Sequence, residues 1–143
     1  MKRLRNQRGA ALLETAITIP IILLVSVSIF EFGRAYQTWQ VLTNAAREGA
    51  RVSVLAESTD GQVTDAVKGY MTSGRLTAAT SATVTVERTV PFNGGANTAS
   101  RITVAYPFTF IVLNPVMRLV SRGSTTGQGT TTMSSVALMR NEG

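Results

Sequence analysis

Residues 10–30 read AALLETAITIPIILLVSVSIF, an apolar run of 21 residues with one formal charge, Glu14. A helix that crosses a bilayer needs about 20 predominantly apolar residues. Lys2, Arg3, Arg5 and Arg8 precede the run with no acid among them, and a basic flank holds its side of a span in the cytoplasm. A cleaved secretory signal has an apolar core of about 7–15 residues with a small-residue cut site near its end. This run is longer, and the EFGRAYQTWQ that follows continues a helical pattern. A buried helix of a soluble domain has no need of the basic leader. The expected organisation is therefore a cytoplasmic leader over 1–9 and a membrane-spanning helix over 10–32. An extracytoplasmic continuation of that helix over 33–58 and a small α+β domain over 59–143 complete it.

Composition narrows the chemistry. The chain has no cysteine and no histidine, so disulfides, thiol nucleophiles, Cys or His metal sites and a His general base are all excluded. Its net charge of +6 resides mostly in the leader; beyond residue 9, ten Lys or Arg face eight Asp or Glu. Those later charges are scattered singly, whereas a nucleic-acid module clusters them on one face. Lys68 is the one lysine after the leader, and no serine stands in a nucleophile motif. No Gly-rich phosphate loop or carboxylate cluster occurs. The reading is that of a non-enzyme, without cofactor, nucleic acid or small-molecule substrate.

Glu14 is the informative exception in the span. A charge at the centre of a bilayer costs about 2.5–3.5 kcal/mol on insertion scales. Glu14 lies only about 6 Å of helical rise from Ala10, so two readings stand. It is either a carboxylate tolerated near the interface or one that awaits a positive partner in an assembly. Pro20, inside the run, removes one backbone donor and favours a kink. Phe30, Phe32, Tyr36 and Trp39 follow at the outer end, where aromatics anchor to the membrane interface. Trp39 suits a core role equally well. Arg34, among them, is expected to reach headgroups.

The leader MKRLRNQRG, the long apolar run and the Glu at its fifth position resemble the type IV prepilin processing signal. Together with NAAREGAR and the ending SSVALMRNE, the region RGAALLETAITIPIILLVSVSIFEFGRAY resembles the TadE-like family, pseudopilins of the Flp (Tad) pilus system. Family members often have an aromatic after the Glu, where this chain has Thr15. The resemblance implies a minor, pilin-like subunit needed for assembly of adhesive pili. It implies cleavage between Gly9 and Ala10 by a prepilin peptidase, and pairing of Glu14 with the new Ala10 amine of a neighbouring subunit. Its partners would be that peptidase, other pilin or pseudopilin subunits, the Tad assembly machinery and the inner membrane. The alternative is an uncleaved, single-pass envelope protein with an extracytoplasmic interaction domain.

Beyond the membrane, Val41, Ala45, Gly49, Val52 and Ala56 recur at helical spacing, with Ala46, Gly49, Ala50 and Ser53 as a neighbouring strip of small residues. A sheet is the expected partner for 41–56, and other subunits for 10–35. Asp60 is expected to cap a second helix whose apolar face is Val63, Ala66, Val67, Tyr70 and Met71, ending at Gly74. A loop over 77–82 follows. Val84, Val86 and Val90 alternate with polar residues, as do Ile102, Val104 and Tyr106, making a hairpin around Asn93-Gly94-Gly95. Residues 131–140 are the third strand and 121–129 a loop. The apolar run over 107–120 is too short and too interrupted by Pro107, Asn114, Pro115 and Arg118 for a second span. It reads as core, with part of it open as a contact patch on the membrane or on another subunit. The whole is an α+β arrangement: a long N-terminal helix, its first half in the membrane, packed on a small antiparallel sheet in the manner of a pilin.

Overall fold

The computed structural model describes residues 3–55, 57–92, 97–120 and 129–141, with the side chains of 3–8, 97 and 117–120 left undescribed. The Asn93-Gly94-Gly95 turn, Ala56 and the 121–128 part of the expected loop lie outside these residues. Helix α1, Arg3–Ser53, runs for 51 residues, about 75 Å at 1.5 Å per residue. It is followed by α2 (Asp60–Ser73), β1 (Thr83–Phe92), β2 (Asn97–Phe108), α3 (Leu113–Val120) and β3 (Thr131–Arg140). Among the described residues the sheet has three antiparallel strands in the order β1-β2-β3.

Period-two alternation produces a two-faced sheet. Val84 lies opposite Val104 and Val86 opposite Ile102, while Ile102 in turn faces Ala137 and Tyr106 faces Met133. These side chains join the core; the alternate residues, many of them Thr, lie on the other face. The outer half of α1 and helix α2 cover the apolar face. Leu42, Ala45, Ala46 and Ala50 of α1 and Val63, Val67 and Met71 of α2 are fully or almost fully buried. Gly49 lies where the three layers meet. A Cβ there would come within 2.5 Å of a Val67 methyl and 3.2 Å of an Ile102 methyl, so glycine allows the helix to approach this closely. The buried face of α1 thus merges the two expected strips and centres on Leu42. Val41 and Val52 lie at its margins.

Three expectations are corrected. Helix α1 ends at Ser53, not 58: Arg88 donates to the Ser53 carbonyl at 2.9 Å, and Glu57 takes a positive φ of 65°. The cap of α2 is Thr59 instead of Asp60. Thr59 Oγ1 accepts the Gln62 N–H, and Gln62 reaches back to the Thr59 N–H, a reciprocal capping box. Asp60 accepts a hydrogen bond from Arg88 at 2.7 Å. On α2, Tyr70 is exposed and Ala66 only half-buried, because the helix turns Val63, Val67 and Met71 inward. The expected loop over 77–82 contains a single 3-10 turn, Ala79–Ser81. The strand over residues 131–140 is found with those bounds.

Candidate membrane and assembly site

Among the described residues, no side chain in the first half of α1 is buried. Its most apolar stretch is wholly unburied, and it is the one helix among the described residues long and apolar enough to cross a membrane. Leu12, Leu13, Ile17, Ile21, Ile22 and Leu23 all stand exposed. Three hydroxyls in this stretch turn inward: Thr15, Ser26 and Ser28 each donate to the carbonyl four residues back at 2.8 Å. Each of these bonds gives a hydroxyl proton an acceptor within the helix itself, as an apolar surround favours.

Gly9 and Ala10 lie inside the continuous helix, and nothing approaches within 4 Å of where a Gly9 side chain would be. Glu14 is exposed one turn beyond. Gly9 and Ala10 are thus open and next to the apolar run. The glycine weakens the helix there by about 1 kcal/mol relative to alanine.

Phe30, Phe32, Tyr36 and Trp39 are all exposed. Phe32, Tyr36 and Trp39 follow at spacings of four and three and share a side of α1 turned away from the core; the Tyr36 and Trp39 rings lie 6.1 Å apart. Arg34 is placed differently from the headgroup contact expected of it. Its Nη2 donates to Glu31 Oε2 at 3.2 Å and to the Thr109 carbonyl, and its guanidinium carbon sits 4.6 Å from the centre of the Phe108 ring. The attraction of a buried carboxylate one turn away draws the guanidinium inward.

That carboxylate, Glu31, is the residue the sequence reading missed. It is 0% exposed. Its Oε1 accepts the backbone N–H groups of both Ile111 and Val112 at 2.9 Å. These two residues immediately precede α3, so Glu31 acts as a cap supplied from another helix. A signal was available. Glu31, Ala35, Thr38, Leu42, Ala45 and Gly49 follow one another at alternating spacings of four and three, which places Glu31 on the buried stripe of α1.

The 107–120 run is core only at its start, where Phe108 is buried and Phe110 packs against the core, while Ile111 and Val112 are exposed. Pro107 and Phe108 end β2, and residues 109–112 cross over Glu31 and Arg34. Helix α3 then runs beside the apolar half of α1. Pro115 falls in its first turn, where a missing N–H breaks no bond. Val112, Leu113 and Val116 form a groove of about 270 Å³ with Pro20, Leu23, Leu24 and Val27.

Compared with known proteins, residues 9–51 match the family model described as TadE-like protein. No curated protein and no solved structure matches the chain.

Proposed function

We propose, from the TadE-like character of residues 9–51, that this chain is a minor, pilin-like subunit needed to assemble Flp/Tad-type adhesive pili. The observation that carries the reading is that the matched segment coincides with α1. This one helix joins an exposed apolar half to a half that packs into the core of a folded domain. Such a helix suits a subunit that is held in a membrane first and bundled with like helices afterwards.

The mechanism is physical. The basic leader stays in the cytoplasm and the domain beyond residue 33 lies outside. A prepilin peptidase cuts between Gly9 and Ala10. The new Ala10 amine then pairs with Glu14 of a neighbour, which neutralises a charge that is unfavourable in hydrocarbon and sets the stagger between subunits. Phe32, Tyr36 and Trp39 hold the outer interface. The reading assigns the chain no catalytic step, cofactor or small-molecule substrate.

Mass spectrometry of the protein from cells with and without the peptidase tests it. The expected mature chain begins at Ala10 in the first and retains residues 1–9 in the second. A chain that keeps its leader in both is an uncleaved envelope protein.

A further inference from the structure

We propose that residues 111–120, with α3 as their main part, form a second membrane element, seated among the acyl chains of the outer leaflet alongside α1. The inference rests on the reading that the apolar half of α1 spans the bilayer. Three observations then set the depth and the occupant.

The first is position. Helix α3 starts where Glu31 holds Ile111 and Val112, and its groove reaches back along α1 through Val27, Leu24 and Leu23 to Pro20. From Glu31 to Pro20 is about 16 Å of helical rise, roughly one leaflet of a hydrocarbon core about 30 Å thick. Whatever surrounds the outer part of the span also surrounds α3.

The second is the groove itself. All seven lining residues are apolar, and the groove is continuous with the exposed Leu and Ile of the span. Ile111, just outside, is 61% exposed. Leu113 and Val116 fall on one helical face and Asn114 on another, in keeping with a helix lying in an interface.

The third is the treatment of the backbone. In water the Ile111 and Val112 N–H groups would find solvent and need no buried acid. Here a fully buried carboxylate accepts both, and Arg34 donates to the Thr109 carbonyl. Partners supplied from within the protein for these three backbone groups are what a segment entering hydrocarbon requires. An eight-residue helix is also too short to persist in water by itself.

The chain has no cysteine, so single cysteines can be placed and labelled with an environment-sensitive fluorophore in the full-length protein reconstituted in phosphatidylcholine–phosphatidylglycerol vesicles. Val116→Cys tests the helix, and Ile111→Cys reports from an exposed position where the label displaces no packing. Ile17→Cys checks the span and Thr132→Cys the aqueous sheet face. The expected result is quenching of the 111, 116 and 17 labels by lipids with brominated acyl chains, with iodide quenching several-fold weaker than at 132. Labels at 111 and 116 that iodide quenches as it does at 132, while 17 stays in lipid, overturn the proposal and leave the span standing. An aqueous label at 17 overturns both. Labels at 111 and 116 shielded from both quenchers until the protein is diluted tenfold in lipid identify a second copy as the occupant and also overturn it.

Discussion

Glu31 and Val112 are 81 residues apart in sequence, yet the carboxylate oxygen of one accepts the backbone N–H of the other at 2.9 Å. The same oxygen takes the Ile111 N–H, and the other oxygen takes Arg34. One side chain on α1 thereby fixes where the chain leaves the sheet and where α3 begins.

Removing it has a defined consequence. Glu31→Ala leaves two half-buried amides without their acceptor, each at the lower part of the about 1–3 kcal/mol that a buried unpaired group costs, and leaves Arg34 without its carboxylate. The expected loss is about 2–4 kcal/mol, with Glu31→Gln milder because an acceptor oxygen remains. Thermal unfolding in detergent reads the stability. Hydrogen exchange reads the mechanism: the Ile111 and Val112 amides should exchange much faster in the alanine variant. Unchanged exchange there would remove the capping role.

Gly49→Ala opposes two effects. Alanine favours the helix by about 1 kcal/mol. The new Cβ meets a Val67 methyl at 2.5 Å, and overpacking a core of this kind costs about 1–3 kcal/mol. Clash wins, because Val67 is short, branched and itself buried. The melting temperature should fall, and Gly49→Val should fall further. A rise for Gly49→Ala would mean that α2 yields readily.

Arg88 and Asp60 form a 2.7 Å ion pair, but the two partners contribute unequally. Arg88 also donates to the Ser53 carbonyl and to Ser58 Oγ, stitching the end of α1 to the bulge in β1. Arg88→Ala is expected to cost about 2 kcal/mol, since charged hydrogen bonds contribute about 1.5–3. Asp60 is 67% exposed, and Asp60→Asn should cost less than about 1 kcal/mol. Denaturant midpoints of the two variants check the ordering; equal losses would place the stabilisation in the ion pair alone.

Glu14→Ala separates cutting from assembly. The apolar run, the leader and Gly9 are untouched, so the variant should still be processed to Ala10. It should lose most piliation, because the amine of the neighbour then has no carboxylate to meet. Mass spectrometry and counts of pili by electron microscopy read the two steps. Normal piliation would end the role proposed for Glu14.

Elements made by local rules were legible in the chain. The strand over 131–140 and the alternation in β1 and β2 could be read because their side chains repeat every two residues, whatever they pack on. The long apolar helix, a candidate membrane span, could be read because its hydropathy is summed over about twenty residues. The cap of α2 lies one residue before the one expected, since Thr59 and Asp60 are both good capping residues and only the Thr59–Gln62 geometry chooses between them.

Sequence alone determined the long apolar run, its basic flank, Glu14 and the two-faced strands, because each depends on neighbours within about one turn or one strand. Tertiary structure decided the rest: that Arg34 turns inward, that Glu31 is buried and that α3 lies against the apolar half of α1. A carboxylate near an arginine looks like a surface pair until the fold brings two amide protons to it from the far end of β2. Those protons come from beyond residue 110, a separation over which local periodicity carries no information.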